Sequence, residues 1–198
     1  TAALQDSQAG RPKVWFLHKR FADRLFDAGE QGSFDSLASR FLQETKEPGL
    51  IRLLSERREV QQHGSAETRS ALLKIFVETV VTAKGKPRAV DVEACIPLAA
   101  SLSAEEFGSQ VMPGVQRMMK RSPEVITSTL GVLIPELKLN LSEWAAELMA
   151  AAVAQLQSSD QKQRVDATRA AQALCEGASS PDLLQRLADH LADHVSSK

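Results

Sequence analysis

Eight cations lie close to three turn signals in this 198-residue chain. Lys84, Lys86 and Arg88 surround Gly85 and Pro87; Arg117, Lys120 and Arg121 precede Ser122-Pro123; Lys162 and Arg164 follow Ser158-Ser159-Asp160. The chemistry open to such groups is sequence-independent neutralisation of phosphates, with a steep dependence on salt. Asp91, Glu93, Glu124 and Asp160 dilute them. Tyrosine is absent and no aromatic residue lies near these turns, so stacking on single-stranded bases is not expected.

Other residue types offer less. His190 and His194, four apart with Asp189 and Asp193 beside them, have the spacing of a helical metal pair, but a closed site needs a third and usually a fourth ligand. His18 and His63 are remote in sequence, and the terminal pair flanks the Leu187–Leu191–Val195 stripe of a helix. Cys95 and Cys175 form no CxxC pair and sit among apolar helix positions, so they are expected as reduced core residues in a cytosolic or nuclear protein. Met118-Met119 and Trp144 are expected as core filling. No G-x-S-x-G, Walker loop, dinucleotide fingerprint or H-E-x-x-H occurs, and nothing in the order of Ser, His and acidic residues picks out a triad. The expectation is a non-enzymatic protein with no cofactor, metal or small-molecule substrate.

The elements that must position the cations are helices. Cap residues recur at Ser103, Ser122, Ser142, Asp160 and Ser180, about 18 to 20 residues apart. Ser103-Ala104-Glu105-Glu106 has the form of a capping box, and Ser122-Pro123 and Ser180-Pro181 set a cap before a proline in the first helical turn. Between the caps run apolar stripes: Phe107, Val111, Val115 and Met118; Ile126, Leu130, Leu133 and Leu137; Trp144, Leu148, Ala152 and Leu156; Val165, Ala171 and Leu174; Leu184, Leu187, Leu191 and Val195. Earlier helices are expected over 12–28, 34–44, from Pro48, over 66–83 and over 91–102, with bends at Pro97 and Pro113. Around Ile75 to Val81 the β-branched run makes a strand conceivable, but its length and polar start favour helix.

A helix at this interval, paired at a period near 40, marks an all-α fold: a HEAT/armadillo-like right-handed α-solenoid of about five antiparallel helix pairs. Residues 1–10 are expected as a disordered lead-in and 11–198 as a single HEAT-repeat segment of a longer chain, since the first residue is a threonine. No apolar run approaches the roughly 20 residues that cross a membrane. When successive helices reverse, alternate turns share an edge. Lys84, Lys86, Arg88, Arg117, Lys120, Arg121, Lys162 and Arg164 would then form a basic docking edge. Glu105, Glu106, Glu143, Glu176 and Asp182, with Lys138, would form an acidic one. The net charge of −1 hides this sorting. The plain alternative is that charges solvate loop ends and the split is chance.

The same residues carry a resemblance. Val111-Met112-Pro113 and Met118-Met119-Lys120-Arg121-Ser122-Pro123-Glu124 resemble the large HEAT-repeat translational activators called general control nonderepressible protein one. So does Leu139-Asn140-Leu141-Ser142-Glu143-Trp144-Ala145, where that family tends to read Leu-Asp-Leu-Ser-Lys-Tyr-Ala. Asp160 with Arg164, and Ala178-Ser179-Ser180-Pro181-Asp182, continue it in order, while Gln161 and Gln163 stand where relatives tend to have Glu and Arg. The resemblance covers roughly Lys74 to Asp182. It implies a cytoplasmic, N-terminal segment of a protein that associates with ribosomes and works with an ABC-type ATPase partner. It also implies that the parent stimulates, in amino-acid starvation, the kinase that phosphorylates initiation factor two alpha. The family's kinase-binding region lies far toward the C-terminus and is expected to be missing here. The other reading is a general HEAT adaptor, of transport-receptor or phosphatase-scaffold type, that binds proteins only.

Overall fold

The computed structural model describes residues 46–56 and 66–177, with single helical positions at 39, 42, 181, 184, 185, 188, 189 and 192. The expected helix over 12–28, the Ser180 cap and the His190–His194 pair lie outside the described residues. The protein is mostly helical, and no strand occurs among the described residues.

The chain divides into two compact units, one built from residues up to Ile75 with Glu93–Leu98, the other from Phe76–Val92 with Ala99 onward. In the first, α1 (Pro48–Ser55) starts on a proline that needs no N–H and buries Ile51, Leu53 and Leu54. α2 (Ala66–Phe76) buries Leu72, Leu73 and Ile75 in the same unit. Where the β-branched run begins, α2 gives way to a π turn (Val77–Val81). That turn closes on Thr82, whose N–H and hydroxyl both donate to the Val77 carbonyl at 2.7 and 2.9 Å. The run is thus helical, though wider than an α-helix. α3 (Ala89–Ala99) buries Val92, Cys95, Leu98 and Ala99, the expected inner face.

Ser103 caps the next helix as its sequence predicts. Its hydroxyl accepts from the Glu106 N–H at 3.1 Å, and the Glu106 carboxylate accepts from the Ser103 N–H at 3.0 Å. The helix opens as α4 (Ala104–Glu106), widens into a second π turn (Phe107–Val111) and continues as α5 (Met112–Arg121). The expected bend at Pro113 takes this form: the π turn absorbs the missing N–H, and Pro113 falls in the first turn of α5. Phe107, Val111, Val115 and Met118 are all buried.

α6 (Pro123–Leu133) is enclosed on most of its circumference, burying Ile126 to Gly131 and Leu133, and ends in a 3₁₀ turn (Ile134–Glu136). α7 (Ala145–Leu156) and α8 (Gln161–Glu176) pack closely across the short turn that joins them, which makes them an antiparallel hairpin. α6 also packs along α8. A Cβ at Gly131 would stand 3.3 Å from the Asp166 carbonyl oxygen and 3.4 Å from the Ala170 nitrogen, so glycine is what lets the two backbones approach.

Four expectations change. Ser142 does not cap α7: Asn140 Oδ1 accepts from the Ser142 N–H at 2.9 Å and from its hydroxyl, and the helix begins three residues later. A local Asx turn has outcompeted the cap. Trp144 accordingly precedes α7 rather than riding its face, and its half-buried ring packs on Phe107 with centroids 4.9 Å apart. On α8 the buried face is Ala167, Ala170, Ala171, Ala173 and Leu174, while Val165 is 51% exposed. Leu184, another expected inner residue, is exposed as well.

Candidate functional site

All eight cations belong to the second unit, and all are exposed. Lys84 and Lys86 flank Gly85 in the loop that leaves Thr82, and the end of the π turn from which it springs packs on α5 at Gly114. Arg117, Lys120 and Arg121 share one exposed face of α5, at positions i, i+3 and i+4, beside the buried strip of Gly114, Val115 and Met118. Lys120 and Arg121 fall in the last turn, where the helix dipole favours cations. Lys162 and Arg164 stand in the first turn of α8, just after the N-cap Asp160 that matches the helix's positive pole.

Two of the eight have structural work. The Arg88 guanidinium grips Asp91 through two bonds of 2.7 Å, Nε to Oδ2 and Nη2 to Oδ1, and closes the first turn of α3. Arg164 Nη1 donates to the carbonyls of Ser158 and Ser159 at 2.7 and 2.9 Å, tying α8 back onto the turn after α7. Around it Asp160 Oδ1 accepts from the Lys162 N–H at 2.7 Å, and Ser158 Oγ meets Gln163 Oε1 at 2.5 Å. The side chains of Lys84, Lys86, Arg117, Lys120, Arg121 and Lys162 make no hydrogen bond or ion pair among the described residues. The structure therefore clusters the cations turn by turn and leaves six with unmatched charge.

Sequence reasoning missed Arg169. With Gln161, Arg164, Val165, Thr168 and Gln172 it lines a cavity of about 480 Å³ along the outer stripe of α8. The positions recur at three- and four-residue steps, a signal available in the sequence but hidden once Val165 is assigned to the core. Among the described residues chemistry of other kinds is not assembled. No group of three or more His, Cys, Asp or Glu that could hold a metal occurs among the described residues. Burial, and then the neighbouring Glu176, push the Cys175 thiol above its ordinary value, so it is a poor source of thiolate. Cys95 is fully buried. No helix among the described residues is long and apolar enough to cross a membrane.

Residues 69–198, which contain every one of these cations, match the family described as the N-terminal region of the stalled ribosome sensor GCN1. The chain belongs to the GCN1 N-terminal family. It is 26% identical over 177 residues to Protein ILITYHIA of Arabidopsis thaliana, a span of 85% of this chain and 6% of that protein. It is 29% identical over 132 residues to the stalled ribosome sensor GCN1 of Homo sapiens, and equally so to that of Mus musculus, spanning 67% of this chain and 5% of each relative. The chain thus covers only a small fraction of the GCN1 proteins it matches. No solved structure matches it. The family region begins within α2 and takes in both π turns and the Ser122 corner.

Proposed function

We propose that this chain is a non-catalytic HEAT/armadillo-type scaffold segment of a stalled-ribosome sensor, whose basic edge docks on ribosomal RNA phosphates. Membership of the GCN1 N-terminal family supplies the ribosomal context, and the observation that carries the docking edge is the set of six exposed cations without partners. Unmatched surface charge raises the potential at the contact and releases counterions when phosphates approach. Antiparallel stacking of about five helix pairs as one segment, 11–198, would set the three turns along a common edge. In this reading the parent protein is cytoplasmic, works with an ABC-type ATPase and stimulates the kinase that phosphorylates initiation factor two alpha in amino-acid starvation. The segment contributes docking surface, not kinase contact.

Co-sedimentation of the purified chain with ribosomes across a salt series tests the edge. Each phosphate contact contributes about 0.9 to the slope of log affinity against log salt, so four contacts amount to roughly a hundredfold loss between 50 and 200 mM. Reversal of Lys84, Lys86, Lys120 and Arg121 to Glu should abolish that dependence together with most of the binding. Binding that ignores both salt and the four substitutions would instead mark a protein-only adaptor.

A further inference from the structure

Ser122 is the single residue between α5 and α6, and it ends one helix while starting the other. Its N–H donates to the Met118 carbonyl at 2.8 Å, and its own carbonyl accepts from the N–H groups of Val125 and Ile126 at 3.1 and 3.2 Å. The backbone is non-helical, with φ −151° and ψ 67°. Position predicts a capping hydroxyl, yet the side chain makes no cap bond, and the Val125 N–H is held by the Ser122 carbonyl instead. The result is a half-exposed serine hydroxyl with no partner, followed by Pro123 and preceded by Lys120 and Arg121, two of the six unmatched cations.

We propose that Ser122 is a phosphorylation site for a proline-directed serine kinase and that its phosphate switches the basic edge off. This rests on the docking reading given above. The Ser122 oxygen would take the γ-phosphoryl group of a nucleoside triphosphate: an O–P bond forms at Oγ, the bond to the nucleoside diphosphate breaks, and the hydroxyl proton leaves to solvent. The new group brings a charge of about −1.5 to −2. It follows Lys120 and Arg121 directly in the chain and stands at the N-terminus of α6, where charge of this sign is favoured. Half-buried Glu124 opposes it with a single charge. The charge of the two exposed cations at this corner is then offset from within.

The test uses the whole chain, a purified proline-directed kinase with ATP, and an RNA hairpin as probe. Mass spectrometry should find one phosphate on Ser122 in the folded protein, lost in Ser122→Ala and retained in Ser180→Ala. Phosphorylation should weaken hairpin binding about tenfold at low salt and lower the salt slope by about 2, in line with two lost phosphate contacts. Labelling of the heat-unfolded chain but not the folded one would overturn the site. Hairpin binding indifferent to phosphate on Ser122 would overturn the switch alone. Failure of the unmodified chain to bind RNA at any salt would overturn the docking edge and the switch together.

Discussion

The turn at 157–160 and the corner at Ser122 carry the same kinds of residue and use them in opposite ways. In the turn the Ser158 hydroxyl, Asp160 and Arg164 are all engaged, and only Lys162 leaves its charge unmatched. Asp160 caps α8, the Ser158 hydroxyl meets Gln163 and the Asp160 N–H, and Arg164 spans back to two carbonyls. At the corner the serine hydroxyl, Lys120 and Arg121 engage nothing among the described residues. The first arrangement holds the fold together and the second is available to a partner. A count of basic residues per turn does not distinguish them; the bonds do.

The comparison depends on a fixed separation between the two places, which α6 and α8 set by packing along each other. Breaking that packing should have the largest effect. Gly131→Leu would push a side chain into the α8 backbone at Asp166 and Ala170. Overpacking of this kind costs about 1–3 kcal/mol and occasionally more, against roughly 0.8 kcal/mol regained from helix propensity. A thermal melt should fall by several degrees, and ribosome binding should fall with it.

Next in size is the engaged turn. Loss of the side-chain cap in Asp160→Ala should cost about 1 kcal/mol. Arg164→Ala should cost a similar amount, since both its carbonyl bonds lie at an exposed position where solvent competes. Denaturant unfolding measures both. Neither substitution should remove as much polyanion binding as Lys120→Glu with Arg121→Glu, although Arg164→Ala and the double variant each alter charge on the proposed edge. If Arg164→Ala weakened RNA binding more than stability, the division between the two turns would be wrong.

How much of this was readable in the chain follows from side-chain size and from local competition. α5 declares its inner face through Phe107, Val111, Val115 and Met118, large residues at helical spacing, and the structure buries all of them. α8 hides its face because what it buries is mostly alanine, suited to close approach to α6 and α7, while its one β-branched apolar residue, Val165, is exposed. Of the expected stripe Ala171 and Leu174 are buried, but hydrophobic spacing reads bulk, so it adds Val165 and passes over Ala167, Ala170 and Ala173. Caps show the same limit. Ser103 and Asp160 cap as written, whereas Ser142 is captured by Asn140 two residues earlier and the Ser122 hydroxyl makes no cap bond. The eight cations were all legible as exposed. Their division into six unmatched and two engaged was not, because Arg88 and Arg164 differ from the rest only in what the folded backbone brings within reach.

The smallest expected effect is the sharpest discriminator. Ser122→Ala removes a hydroxyl that bonds to nothing, so stability should change by less than about 0.5 kcal/mol, the range of substitutions that touch no cap, core or buried pair. A typical N-cap serine would cost about 1 kcal/mol on the same change. Paired denaturant curves for Ser103→Ala and Ser122→Ala supply an internal standard, because both serines precede helices of the same unit and only Ser103 makes the reciprocal bonds. A loss at Ser122 equal to that at Ser103 would mean that its hydroxyl caps α6 in solution. The corner would then belong with the engaged turn, and the serine would be held for folding and closed to modification.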